Sequence, residues 1–146
     1  TTPPSGAELA ALVDWARAHA AAGDGRCSIL FEILDNSGRA ARGEAPPAGD
    51  GYSLFRTALG LVRRLWEADA HPVHGRWIFL RLETTATRFA IERRYDSWPA
   101  WMPQDPPLGP SPRSLRREMD RRAARYRPPW AMLLVPRLIR EPQPTA

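Results

Sequence analysis

Residues 75–101 read as a single β-hairpin that runs directly into an aromatic loop, and no other segment restricts the fold as much. On the first limb, 76–83, Ile78, Leu80 and Leu82 alternate with Trp77, Phe79 and Arg81. On the second, 88–95, Phe89, Ile91 and Tyr95 alternate with Arg88, Ala90, Glu92 and Arg94. Successive side chains of a strand point to opposite faces, so each limb has one face suited to a core. Thr84-Thr85-Ala86-Thr87 has the length of a hairpin loop. An isolated hairpin is marginal in water, so the rest of the chain must cover it.

The covering elements are legible. The spacing of Leu9, Leu12, Val13, Ala16 and Ala20 predicts a helix over 6–21, with Ser5 as N-cap, Glu8 at the capping-box position and Gly23-Asp24-Gly25 as its stop. Residues 27–34 alternate as a strand, Asp35-Asn36-Ser37-Gly38 is a turn signal, and a weaker returning strand fits 39–44. Pro46, Pro47, Gly49 and Gly51 mark a loop. The stripe from Leu54 to Trp66 predicts a second helix over 52–69, stopped by His71-Pro72. After a proline-rich connector, 102–112, Ser111-Pro112 supplies an N-cap with proline at the first helical position, and a third helix fits 112–126. Trp130–Leu138 is apolar but matches neither period. The expected fold is one α+β domain: an antiparallel β-sheet of two hairpins, about three α-helices packed mainly on one face, and the order α-β-β-α-β-β-α. The ends, 1–5 and 140–146, have the composition of linkers, and the absence of an initiator Met suggests a trimmed chain.

With 146 residues, 43% of them hydrophobic, the chain is long enough to bury a core. No apolar run approaches the ~20 residues of a membrane span, and the opening Thr1-Thr2-Pro3-Pro4 does not resemble a signal peptide. Cys27 stands alone, so a reducing, cytoplasmic setting is expected, with the thiol as a small core hydrophobe. The net charge of +5 is concentrated: residues 113–127 hold seven arginines against Glu118 and Asp120, while the other fourteen arginines balance fourteen acids. The chain has no lysine, which with its abundant Ala and Pro fits a codon bias.

Motifs for catalysis do not emerge. His71 and His74 are too few for a zinc site and no cysteine or carboxylate pattern completes one, so no metal and no cofactor is expected. There is no Gly-x-Ser-x-Gly elbow, phosphate loop or dinucleotide fingerprint, and the chain reads as a binding protein rather than an enzyme. Two surfaces stand out. Tyr95, Asp96, Trp98 and Trp101, with Arg94 beside them, either form a lid on the hairpin or present anchors to a protein partner, because Trp, Tyr and Arg dominate binding hot spots. Arg117 and Arg121 lie on the arginine-rich helix, which is either a solvated face or a phosphate-binding one.

The order of features also resembles a known family. A helix leads into Gly75-Arg76-Trp77, then Phe89-Ala90-Ile91, then Tyr95-Asp96 with Pro99 and Trp101, then a helix and Pro129-Trp130. This is similar to the YezG-like immunity proteins of bacterial polymorphic toxin systems and to domains that neighbour secreted NAD-glycohydrolase toxins, over residues 53–135. The resemblance implies an α+β fold and a non-catalytic protein that binds a cognate toxin and blocks it. It carries over no catalytic residue. This chain is basic, whereas nuclease inhibitors tend to be acidic, so an acidic or neutral toxin suits it better. A nucleic-acid-binding module using helix 112–126 is the alternative.

Overall fold

Seventeen residues, Gly6–Ala22, form α1. The structure is a computed structural model that describes residues 6–34, 37–41, 51–102 and 110–142, with the backbone alone for 37–41 and 51–55. Leu12, Val13, Ala16 and Ala20 are buried along one stripe of α1, as their spacing predicts. The helix ends where the Gly25 N–H donates to the Ala20 carbonyl at 2.9 Å, with Gly25 at φ +89°, a left-handed cap that disfavours a side chain. Ser5, the expected N-cap, lies outside the described residues.

Strand β1 (Arg26–Leu34) pairs antiparallel with β2 (Ser37–Ala41), and α2 (Gly51–Ala68) follows. β3 (Phe79–Thr85) and β4 (Phe89–Arg94) form the second hairpin. The two hairpins fuse through β1 and β3, with Phe31 opposite Leu80 and Ile29 opposite Leu82, so the sheet order is β2-β1-β3-β4. The fold is therefore α+β, with an antiparallel sheet built from two hairpins. β2 begins earlier than its composition predicts, since Ser37 already pairs with Leu34; residues 42–44 lie outside the described residues.

Two cores sandwich this sheet. Phe31, Ile33, Leu80 and Leu82 face α1 and α2, where Val62, Leu65 and Trp66 join them. Leu30, Leu34 and Phe79 face the other way, against Leu115 and Met119 of α3 (Pro112–Arg121) and against Trp98, Met102, Trp130 and Leu138. Two helices thus share one face and α3 covers the other. A central strand covered on both faces explains why β1 is buried at every position from Leu30 to Leu34. The predicted alternation fails at one point. Ile78 joins Phe79 in the second core while Trp77 joins the first, because the chain bends at Ile78 before pairing begins at Phe79. Trp77 is wholly buried, which at ~25 cal/mol per Å² over roughly 200 Å² is worth about 5 kcal/mol before entropy is charged.

The third helix is shorter than its pattern. It stops at Arg121, and Arg122 is extended at φ −89°, ψ 148°. The Ala123 N–H donates to the Val73 carbonyl at 3.0 Å, which draws the chain off the helix axis. Ser111 makes no side-chain cap; Pro112 does occupy the first turn. Two 3-10 turns follow, Ala124–Tyr126 and Pro129–Met132. Of the connector 102–112, Met102 is fully buried, and 103–109 lie outside the described residues. The C-terminal segment is not a free end from residue 140. Ile139–Arg140 form β6, which pairs in parallel with β5 (Ser97–Trp98), and the Glu141 N–H donates to the Trp98 carbonyl at 2.7 Å.

Candidate functional site

A buried ionic clasp joins α3 to the start of β3. Glu118 and Arg122, one helical turn apart, are both about 1% exposed, with Glu118 Oε2 3.2 Å from Arg122 Nε. Glu118 also accepts from the Arg76 N–H at 2.7 Å and from Arg76 Nε at 3.0 Å. Arg122 spreads its remaining donors over the Asp96 carboxylate and the carbonyls of Tyr95 (2.9 Å) and Arg76 (3.2 Å). Isolated buried charges are costly, and here nearly every donor and acceptor is matched. Gly75 makes the approach possible. It sits at φ +82°, and a Cβ there would lie 2.4 Å from Glu118 Oε2 and 2.5 Å from Arg122 Cγ. The Arg76 guanidinium stacks on the Trp66 ring at 3.9 Å. Behind it, Trp66 Nε1 donates to the Trp77 carbonyl, and Asp69 accepts from both Trp77 Nε1 and Arg93 Nε at 2.8 Å.

The aromatic loop serves this clasp more than it serves the surface. Trp98 is 6% exposed, its Nε1 donates to the Met102 carbonyl at 3.0 Å, and its indole packs in the second core near Phe79. As a partner anchor it is therefore corrected to a core residue, because the return of β6 covers it. Trp101 is half-buried against the same core, and its buried Nε1 has no partner among the described residues. Tyr95 is half-buried against the first core. Burial, aided by the Asp69 carboxylate, holds its phenol above the ordinary range. Asp96 is exposed, but its carboxylate pairs with Arg122 and its carbonyl accepts from Trp130 Nε1 at 2.8 Å. Arg94 bridges Glu92 and Glu141 in a charge ladder that continues through Arg81 and Glu83. The structure thus gathers Tyr95, Asp96 and Arg94 around structural partners and leaves none as a free anchor.

The arginine helix divides by role. Arg122 is buried in the clasp. Arg127 Nε donates to the Met119 carbonyl at 2.8 Å and to that of Arg122 at 3.2 Å, closing the open end of α3. Arg116 Nη2 donates to the Leu134 carbonyl at 2.7 Å. Arg117 is exposed, as are Arg113 and Arg121, and the last two make no interaction among the described residues.

The most unusual exposed feature lies where sequence periodicity is silent. Met132, Leu133, Leu134 and Val135 are 82%, 52%, 92% and 55% exposed. Four consecutive apolar side chains, Met132 at the end of the second 3-10 turn and the other three outside any strand or helix, form a ridge. Arg116 holds its backbone, and Arg137 follows at its base. The signal was available in the sequence: Pro128-Pro129 and Pro136 bracket the run, so no regular element can turn all four inward. His71 and His74 are exposed, as expected, and stack at 4.3 Å across the turn that joins α2 to β3. Among the described residues no group of three or more His, Cys, Asp or Glu is placed to hold a metal ion, and no helix is long and apolar enough to cross a membrane. Set against protein-family models, curated proteins and solved structures, the chain matches none of them.

Proposed function

We propose that this chain is a non-catalytic binding protein of the immunity type, which docks on a bacterial toxin enzyme in the cytoplasm and blocks it sterically. The Met132–Val135 ridge carries the reading. Exposed apolar residues in that density mark a surface that is covered by something else. The arginines beside the ridge, Arg116 and Arg137, favour a partner whose apolar pocket is rimmed by carboxylates. An interface of ordinary size, ~800 Å² per partner, extends well past the ridge onto the exposed face of α3. The aromatic loop then shapes the platform rather than the contact. The resemblance to YezG-like proteins supports the toxin class, the NAD-glycohydrolase type included.

The experiment is co-expression with a toxin encoded beside this chain. Rescue of growth and a co-purifying complex support the reading, and both should be lost in the double variant Met132→Ser, Leu134→Ser. Unprotected cells and no complex with the unaltered chain would sink it. The second reading, a nucleic-acid module, is favoured by the exposed Arg113, Arg117 and Arg121. It requires binding to DNA or RNA at low salt that weakens steeply as salt rises.

A further inference from the structure

We infer that the cleft beneath the α2–β3 turn is a binding site for a small phosphate monoester. The cleft has a volume of about 490 Å³ and is lined by Ala70, His71, Pro72, Gly75, Arg76 and Arg121. That volume lies in the range of small-molecule sites, roughly 300–1,000 Å³, and exceeds what a bare anion fills.

Its polar groups are donors, and two of the three, on Arg76 and His71, are held in place. Arg76 is anchored by its Nε to Glu118 and by its stack on Trp66, and its terminal nitrogens make no hydrogen bond among the described residues. Arg121 brings a second guanidinium that makes no interaction among the described residues. His71 Nδ1 accepts from the N–H groups of Val73 (3.0 Å) and His74 (3.1 Å). The proton of the neutral ring therefore sits on Nε2, which leaves that atom as a donor for a ligand. The turn is closed by two backbone bonds between His71 and Gly75, at 3.1 and 2.9 Å, so the His71 donor is preorganised. Two guanidinium groups and an imidazole N–H suit the several oxygens of a tetrahedral dianion better than a single carboxylate. Glu118, the carboxylate nearest Arg76, is already shared with Arg122, and Asp96 balances Arg122, so the clasp is neutral and Arg121 adds a net positive charge. Nothing in this site uses the Met132–Val135 ridge, so it stands or falls apart from the partner-binding reading.

The test is amide NMR titration of the full chain at low salt with two probes, inorganic phosphate and adenosine 5′-monophosphate. Saturable shifts at residues 70–76 and at Arg121 are expected, with the monoester binding more tightly because the cleft has room beyond the phosphate. Arg121→Gln should weaken binding about tenfold, roughly one charge-assisted contact, while Arg113→Gln on the same helix leaves it within about twofold. Both positions are exposed and make no side-chain contact among the described residues, so neither change threatens the fold. Absence of saturation at 10-fold molar excess in the millimolar range, equal loss in both variants, or shifts spread along α3 instead of the turn would each overturn the assignment. Tight binding of a short RNA with no response to either small phosphate would overturn it as well.

Discussion

At single positions, the two left-handed glycines separate backbone cost from packing cost. Both Gly25 and Gly75 have positive φ, but a Cβ at Gly25 meets open space and one at Gly75 meets Glu118 and Arg122. Gly25→Ala should cost about 1 kcal/mol, the left-handed penalty alone. Gly75→Ala should cost about 3 kcal/mol or more, since it also parts a buried ion pair. Urea midpoints of the two variants compare them directly, and equal losses would mean that the clasp contributes nothing. Within the clasp, Glu118→Gln should destabilise by roughly 3–5 kcal/mol because it leaves Arg76 and Arg122 against Asp96 alone, and the double change Glu118→Gln, Arg122→Met, which removes one of the two arginines, should recover much of that. A double-mutant cycle reads the coupling. Cys27 is 7% exposed and burial raises its thiol pKa; Tyr95 is raised for the same leading cause. Both acids stay protonated longer in the folded chain than in the unfolded one. Their contribution is thus fully present below the ordinary thiol and phenol values, about 8.5 and 10, and is lost as pH rises beyond them. Stability should be flat near pH 7 and decline in the alkaline range, with Cys27→Val removing the earlier part of the decline.

Among the elements, α3 and the C-terminal return depend on each other. α3 is short and carries a narrow apolar stripe, Leu115 and Met119, so packing rather than propensity holds it. Its open carbonyls at Met119 and Arg122 are met by Arg127, and Arg127→Ala should cost about 1 kcal/mol through the lost cap. β5 and β6 contribute two residues each, too few to pair without help. They are held by Trp98 and Leu138 below and by Glu141 with Arg94 and Ser97 above. Trp130→Ala should therefore loosen the whole second core, by about 3–5 kcal/mol, and amide exchange at Trp98 and Glu141 should accelerate together. If only one of the two amides speeds up, the return and the aromatic loop are not a single unit.

Over the whole molecule, the two faces of the sheet divide labour. One face is closed by α1 and α2, and the other by an ionic clasp, short turns and tryptophans, with the apolar ridge left outside. Replacing Met132 and Leu134 by serine removes no buried contact, so the melting temperature should stay within about 2 °C while partner capture is lost. A complex that survives the double change would move the interface elsewhere. The helices and hairpins were legible in the chain, because a period of 3.6 or 2 is a local property that each stretch of residues carries by itself. Ile29, Ile33, Leu80 and Leu82 announce their strands, and Leu12, Val13 and Ala16 their helix, whatever surrounds them. The roles of Trp98, Arg122 and Met132 were decided only by the tertiary structure. Burial depends on what comes to lie across a side chain, and here that comes from residues 26 to 46 positions away. Trp98 is hidden because the C-terminal strand returns over it, Arg122 is buried because Asp96 and the Arg76 carbonyl converge on it, and Met132 is bare because nothing described in this chain comes back to cover it.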